Sequence, residues 1–169
     1  VDGAYAAGLL GEGILGVDFS CDLVVYRGAG SYVCGEASGL LSSLEGKRGY
    51  PRNRPPRLTV KGLFQMPTVV NNVETLTNVT AILALGAEAF KKVGTPKSPG
   101  TQLVSISGHI ARPGVYEVEH GYPLKKFLFE DCGGMMPGAT LKCIIPGGIS
   151  TKVLTAAEIE PVTYDHASF

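Results

Sequence analysis

The sequence predicts an α/β protein followed by a small α+β module, and three observations support this fold class. An apolar run at 23–27 leads into the glycine-rich stretch 28–39, which opens a helical pattern. Strand–glycine loop–helix units of this kind commonly hold phosphorylated ligands. A turn-rich stretch at 94–100 then precedes a region of alternating, strand-like pattern. Hydrophobic residues make up 44% of the 169 residues, as in ordinary globular domains.

Composition argues against several classes of function. Lysine plus arginine equals aspartate plus glutamate at 15 each, so no overall charge favours nucleic acid or a membrane surface. The four cysteines form no C-x-x-C pair, and the three histidines have no serine, cysteine or acidic partner at a telling spacing, which argues against metal motifs and catalytic triads. No signal peptide or membrane-spanning apolar run is visible. We therefore expect a cytoplasmic protein with no direct membrane insertion.

The first part of the chain alternates helix-like and strand-like segments. A helix is predicted over 1–12 and a short buried strand over 23–27. A second helix is predicted from Glu36 to Glu45, with Gly46 as its C-cap. The proline- and arginine-rich stretch 47–61 is predicted to be a loop.

A third helix is predicted after the pair Asn71–Asn72, either of which can cap it. Its apolar residues follow helical spacing and are expected to face the core; they are Val73, Leu76, Val79, Ile82 and Leu83. Two strands joined by a turn, a short helix and a third strand follow the linker at 94–100. This β-β-α-β order predicts a β-grasp module. The expected domain limits are 1–96, 97–153 and a linking tail at 154–169.

The glycine loop departs from both common phosphate-binding motifs. The fingerprint G-x-G-x-x-G begins at Gly28 and Gly30 but meets Val33 in place of its third glycine. The P-loop pattern fits Gly30 and Gly35, then meets Glu36 where a lysine would face the phosphates, so a nucleoside triphosphate would be repelled. Glu36 suits a donor such as a flavin N–H, a carboxamide or a ribose hydroxyl. It equally suits a first-turn acid that only stabilises the helix.

Two further features could bind an anion. The pair Asn71–Asn72 offers side-chain amides beside the free N–H groups of a helix N-terminus, although plain capping explains it too. The stretch 47–61 holds six basic residues and no acid, namely Lys47, Arg48, Arg52, Arg54, Arg57 and Lys61. This basic loop is either a solvated surface or a contact for a polyanion, such as a dinucleotide pyrophosphate or RNA. Tyr50 alone interleaves it, which disfavours stacking of single-stranded nucleic acid.

Two long blocks carry a resemblance to a known family. The stretches RGAGSYVCGEASGLLSSLEGKRGYPR and PTVVNNVETLTNV resemble the NADH-binding flavoprotein subunit of respiratory complex I. That family includes the diaphorase subunits of NAD-linked hydrogenases and formate dehydrogenases. The upstream AYAAGLLGEGILG also fits, so the resemblance covers essentially the whole chain. It implies part of a Rossmann-like FMN-binding domain followed by a ubiquitin-like, soluble-ligand-binding β-grasp module at 102–150.

The resemblance also implies a reaction and a site. Family members transfer hydride from NADH to FMN and pass electrons singly to iron–sulfur clusters. Carried over, the cofactor contacts are Gly35, Glu36, Ala37, Val70, Asn71, Asn72 and Thr75. The implied partners are a dinucleotide and other subunits of a multisubunit redox complex, among them a thioredoxin-like iron–sulfur subunit. Through such partners the protein would lie at the cytoplasmic face of a membrane.

Two departures from the family pattern fall at the adenosine end of the dinucleotide. Ala37 stands where the family usually has a second glutamate, which contacts the adenosine ribose. The family's K-P-P-F is here Arg54 to Arg57, so an arginine replaces the ring that stacks on adenine. Arg54 and Arg57 are expected to approach the adenosine phosphates. Loss of an acid and gain of an arginine suit a 2′-phosphate, so we expect relaxed preference toward NADPH or loss of tight NADH binding.

The family's first glycine-rich segment and its four-cysteine cluster site have no counterpart in this sequence. We therefore expect an internal piece of a longer subunit, whose 4Fe-4S cluster is not bound by this chain. Such a piece is expected to bind FMN weakly and to be inactive alone. The alternative is a degenerate, non-catalytic scaffold whose β-grasp module docks a partner. RNA binding by the basic loop is a third interpretation.

Overall fold

A computed structural model of the protein describes residues 1–28, 30–165 and 168. The chain divides into two compact units, Val1–Val70 and Asn71–Phe169. The domain limits expected at residues 96 and 153 stay predictions, because a compact unit and a sequence domain need not coincide. Among the described residues, no helix combines the length and apolar character needed to cross a membrane.

The first unit is built from short helices and turns. Helix α1 spans Asp2–Ala6 and helix α2 spans Ala37–Leu44. Single 3-10 turns lie at Ile14–Gly16, Tyr32–Gly35 and Leu63–Gln65. Within the described part of this unit, an isolated bridge between Gly11 and Cys21 is the one strand-like pairing. A helix over 1–12 is therefore too long, because Gly8 takes the left-handed φ of 66° just beyond α1.

The buried strand expected at 23–27 is wrong. Its residues form neither strand nor helix, and Val24 and Val25 are 84% and 71% exposed. A strand needs a neighbour to pair its backbone groups. Here the Leu23 N–H donates instead to the Tyr5 hydroxyl at 3.0 Å, and no described residue pairs with this segment as a strand.

The predicted helix after the glycine loop is confirmed. Helix α2 begins after its N-cap Glu36 and ends at Leu44, with Glu45 as its C-cap. Gly46 follows in the left-handed region with φ 73°, and its N–H donates to the Ser43 carbonyl. The Lys47 N–H donates to the Ser42 carbonyl, which completes the double hydrogen bond typical of a glycine-terminated helix.

The second unit begins with helices α3, Val73–Leu85, and α4, Ala87–Phe90. The predicted helix α3 is present, but its expected core face is wrong. Val73 is 77% exposed, Leu83 is 81% exposed, and no residue of the helix is buried. Helical periodicity shows which side chains share a face, whereas burial requires a neighbouring element to cover that face.

The strands of the second unit pair into three separate two-stranded sheets. Strands β1, Thr101–Ile106, and β2, Gly114–Glu119, form an antiparallel hairpin in which Thr101 pairs with Glu119. Strand β3 at Tyr122–Pro123 pairs with β6 at Thr163–Tyr164, and β4 at Cys143–Ile144 pairs with β5 at Leu154–Thr155. The predicted β-β-α-β order is interrupted, because the short strand β3 precedes the helix, and the expected third strand at 139–148 shrinks to β4 and does not join the hairpin. The structure is therefore mixed helix and small sheets.

The core of the second unit forms around Phe127, whose side chain has no solvent exposure. Helix α5 at Leu124–Lys126 continues into a π-helical turn at Phe127–Asp131. Phe127 lies between the rings of Tyr116 and Tyr164, edge to face, with centroids 5.4 and 5.3 Å away. Residues of β2, α5 and the tail therefore share one apolar cluster.

Candidate functional site

Glu36 caps helix α2 with one of its two carboxylate oxygens. Its Oε2 accepts hydrogen bonds from the Ser38 N–H at 2.9 Å, the Gly39 N–H at 2.8 Å and the Ser38 hydroxyl. These are backbone donors that a helix N-terminus otherwise leaves unpaired. The sequence allows Glu36 to be either a ligand acceptor or an acid that stabilises the helix. The structure shows the stabilising role, which uses one of the two carboxylate oxygens.

The second oxygen of Glu36 faces the basic loop. Its Oε1 lies 3.3 Å from Nη2 of Arg54, and the Glu36 side chain is 39% exposed. The Ser38 hydroxyl, the Gly39 N–H and, more weakly, Arg54 hold the pKa of Glu36 below its usual value. Glu36 is therefore ionised at neutral pH and retains one solvent-accessible acceptor beside a guanidinium.

A cavity of about 590 Å³ lies between the basic loop and the segment that ends the first unit. Four residues predicted for the site share it: Ala37, Arg54, Arg57 and Val70. The other lining residues are Pro55, Leu58, Thr59, Thr68 and Val69. No carboxylate among the described residues pairs with Arg57, so this wall carries uncompensated positive charge. Small-molecule sites typically occupy roughly 300–1,000 Å³, so the volume suits a ligand.

The remaining predicted residues lie outside this cavity. Gly35 borders a smaller cavity of about 260 Å³ under the glycine loop. Asn71, Asn72 and Thr75 belong to the second unit, so their sharing a site with Glu36 stays a prediction. Asn72 occupies the N-cap position of α3 but makes no side-chain capping bond, so the expected capping by an asparagine side chain is wrong. Asn71 and Asn72 are both exposed.

Sequence reasoning does not find the residue that organises the basic loop. Sequence pattern groups Arg52 with the other charges of the loop, yet its side chain is only 23% exposed and that of Glu45 is 3% exposed. Arg52 Nη2 lies 2.9 Å from Glu45 Oε1, an ion pair that ties the loop to the end of α2. No spacing rule could find it, because the pair depends on how the loop folds back onto the helix.

Two cations and one backbone N–H contact the Glu45 carboxylate and make it strongly acidic. Lys47, at 2.7 Å, is the largest cause, and Arg52 and the Phe64 N–H add to it against the opposing effect of burial. Together they lower the pKa of Glu45 from 4.5 to about 2.

No cluster of three or more histidine, cysteine, aspartate or glutamate side chains suited to a metal occurs within the described residues. Cys132 is buried, Cys21 and Cys143 are exposed, Cys34 is half-buried, and all four are free thiols. Burial raises the pKa of the Cys132 thiol, which keeps it protonated and unreactive.

Comparison with known proteins shows which families this chain matches. Residues 1–81 match the family described as the Nuo51 FMN-binding domain, and residues 103–149 match the SLBB domain. A subunit of NADH-quinone oxidoreductase in Streptomyces coelicolor is 51% identical over 163 residues, which cover 96% of this chain and 36% of that protein. Its counterpart in Mycobacterium tuberculosis H37Rv is 49% identical with the same coverage, 96% and 36%.

Two solved structures agree with these matches. The NAD⁺-reducing [NiFe]-hydrogenase in the H₂-reduced state aligns with a TM-score of 0.74 at 43% identity, covering 81% of this chain and 23% of that chain. The air-oxidised state aligns with a TM-score of 0.77 at 38% identity, covering 92% and 26%.

The chain thus carries a segment that matches the Nuo51 FMN-binding domain, residues 1–81, followed by one that matches the SLBB domain, residues 103–149. These matches confirm the resemblance that the sequence shows. The chain spans about a third of the length of the curated relatives that it matches.

Proposed function

We propose that this chain forms the dinucleotide-facing part of an NAD(P)H-oxidising flavoprotein subunit. In that subunit hydride passes to FMN and electrons continue to iron–sulfur clusters that this chain does not hold. The supporting observation is the cavity that Ala37, Arg54, Arg57 and Val70 line together. The names of the relatives point to the same reaction class, because they are subunits of NADH-quinone oxidoreductase.

The residues present fit an anionic, hydroxyl-bearing ligand. Arg54 and Arg57 supply guanidinium groups that suit phosphate oxygens. Glu36 does not line the cavity, but its Oε1 supplies an acceptor 3.3 Å from Nη2 of Arg54, which does. Val70, Pro55 and Leu58 add apolar surface to the cavity. A dinucleotide needs this combination of phosphate donors, a hydroxyl acceptor and apolar surface.

FMN, when bound, supplies the hydride-accepting chemistry, and the protein binds and orients the reactants. We propose Gly35, Glu36, Ala37, Val70, Asn71, Asn72 and Thr75 as its contacts. The exposed amides of Asn71 and Asn72 are available as phosphate donors, because no described residue bonds to either side chain. Glu36 holds Arg54 in place and offers Oε1 to a donor.

Ala37 and Arg57 together favour a ligand with a 2′-phosphate. Both line the cavity, and Ala37 contributes no carboxylate that would repel added negative charge. We therefore propose binding of NADPH as well as NADH, with the discrimination set at these two positions.

Isothermal titration of the full-length protein with NADPH and NADH tests this proposal. Ala37→Glu restores an acid beside Arg57 and is expected to weaken NADPH binding about tenfold or more. Arg57→Gln is expected to act in the same direction. Lys61→Gln removes an exposed charge from the same loop but not from the cavity, so it should leave both affinities unchanged.

Tight NADH binding with no NADPH binding would contradict the specificity proposal. If the full-length protein binds neither nucleotide and shows no flavin spectrum, the degenerate scaffold is favoured instead. Salt-dependent RNA binding by the wild type that Arg54→Gln and Arg57→Gln abolish would favour the nucleic-acid interpretation.

The finer architecture is part of the same proposal. We infer that residues 1–96 complete a Rossmann-like FMN-binding domain with chain outside this sequence, and that 97–153 form a β-grasp module. Residues 154–169 would then lead toward a cluster-binding domain. The expected partners remain a thioredoxin-like iron–sulfur subunit and the other members of a redox complex at the cytoplasmic face of a membrane. Alone, the chain is expected to bind FMN weakly and to be inactive.

A further inference from the structure

We infer that Arg52 is a positioning residue for the anion-binding wall, acting through Arg54 without touching the ligand. The inference rests on the proposed function, because it concerns the same cavity. Arg52 is not among the residues that line the cavity, yet it stands two positions before Arg54, which does. The contacts of Arg52 show how the start of the basic loop is attached to helix α2.

Each nitrogen of the Arg52 side chain lies against an acceptor of the protein. Nε donates to the Ser42 hydroxyl at 3.1 Å, and Nη1 donates to the Gly62 carbonyl at 3.0 Å. Nη2 lies 2.9 Å from Glu45 Oε1 as an ion pair, without the alignment of a hydrogen bond. The guanidinium therefore holds α2 and residue 62 together across the base of the loop.

The backbone of Arg52 is attached to the same capping group that holds Arg54. Its N–H donates to the Ser38 hydroxyl at 2.8 Å, and Ser38 is only 1% exposed. The Ser38 hydroxyl in turn donates to Glu36 Oε2, while Glu36 Oε1 meets Arg54. A short chain of bonds therefore connects Arg52 to Arg54 by way of Ser38 and Glu36.

The opposite wall of the cavity is also held in place through Arg52. Gly62, whose carbonyl Arg52 holds, donates its own N–H to the Met66 carbonyl at 2.8 Å. The Thr68 N–H donates to the Leu58 carbonyl at 3.0 Å, which joins the two walls. Arg54 itself is 55% exposed and has one weak partner, so its direction depends on where the loop is held. A shift of about 1 Å at such a group is enough to lose most of its binding benefit.

A double-mutant cycle between Arg52 and Arg54 in the full-length protein tests the inference. The probe is adenosine 2′,5′-bisphosphate, measured by isothermal titration without any turnover. Arg54→Gln is expected to weaken binding about tenfold. Arg52→Lys keeps the charge but not the three-way geometry, and should weaken it several-fold. In the double variant we expect no further loss beyond that of Arg54→Gln alone.

Lys47→Gln is the matched control, because Lys47 pairs with the same Glu45 but is 66% exposed and remote from the cavity lining. It should leave the affinity unchanged. Should Arg52→Lys fail to fold, Ser42→Ala removes the acceptor of Nε together with the bond from the Ser42 hydroxyl to the Ser38 carbonyl. It is expected to show a smaller loss with the same dependence on Arg54.

A ligand-free measurement separates this inference from the proposed function. In a crystal structure of the Arg52→Lys or Ser42→Ala protein, the Arg54 guanidinium is expected to move by about 1 Å or more and to leave Glu36. An unmoved Arg54, or additive losses in the cycle, overturns the positioning role. A wild type that binds no nucleotide, together with a displaced Arg54, overturns the proposed function and leaves the positioning role supported.

Discussion

Glu36 divides its carboxylate between the backbone and the site. Oε2 serves two N–H groups at the start of α2, and Oε1 meets Arg54. The glycine loop therefore ends in an acid for a structural reason, because that acid satisfies donors that a helix start leaves open. Its other oxygen lies beside Arg54, which lines the cavity, so capping is compatible with the proposed binding role of Glu36.

Replacement of Glu36 by alanine should destabilise helix α2. The Ser38 and Gly39 N–H groups then lose their acceptor, so the melting temperature followed by circular dichroism is expected to fall. Glu36→Gln keeps an acceptor oxygen and should lose less. Glu88→Ala is the control, because Glu88 is 87% exposed and forms a surface pair with Lys91. Equal effects of Glu36→Ala and Glu88→Ala would contradict the capping role.

Glu45 should make the stability of the first unit depend on acidic pH. Its pKa is about 2 in the folded protein against an ordinary 4.5, so the unfolded chain binds the proton more readily. The stabilisation is therefore complete above pH 4.5 and is lost as the pH falls toward 2. Denaturant unfolding across this range is expected to show a loss that Glu45→Gln largely removes. Glu88→Gln should keep the wild-type profile, and an unchanged profile in Glu45→Gln would contradict the assignment.

At the scale of elements, helix α3 and the π-helical turn differ in whether their apolar side chains are buried. The apolar residues of α3 have the spacing of a core face, yet Val73 and Leu83 remain exposed. The turn at Phe127–Asp131 carries a weaker pattern but contributes Phe127 and Leu128 to the core. The two elements differ in what packs against them, because two tyrosines from other elements enclose Phe127.

Phe127→Ala is expected to destabilise the second unit by about 3–5 kcal/mol, since it leaves a cavity between two rings. Guanidinium unfolding followed by far-ultraviolet circular dichroism measures the loss. Phe129→Ala, two residues away, is the control because Phe129 is 44% exposed. That change should cost about 0.5 kcal/mol or less. Comparable losses for the two variants would show that Phe127 is not the centre of the core.

At the scale of the whole molecule, apolar burial is concentrated in the second unit. Among the described residues, every buried hydrophobic side chain except Leu41 lies between 110 and 164. Amide hydrogen exchange should therefore be slowest in the β1–β2 hairpin and around Phe127, and faster in the first unit except near Leu41. The chain unfolded in denaturant provides the reference rates. Uniform protection across the two units would contradict this distribution.

Much of the local structure was predictable from sequence, and two of the exceptions share a cause. Helices α2 and α3 and the β1–β2 hairpin follow from capping residues, spacing and a turn within each segment. The strand expected at 23–27 and the core face of α3 both required a partner element, which local pattern does not specify. Arg54 and Arg57, which the sequence predicts as cationic contacts, both line the cavity, whereas Arg52 could not be distinguished from its basic neighbours.

The sequence by itself determined the family, the glycine-terminated helix behind a glutamate, and the concentration of positive charge before residue 62. These properties depend on residue type and short-range spacing. Only the tertiary structure decided that Glu36 caps α2, that Arg52 turns inward to Glu45, and that Ala37, Arg54, Arg57 and Val70 share a cavity. The reason is physical: which charge is solvated and which is buried depends on where the chain returns, and that is a property of packing between distant segments.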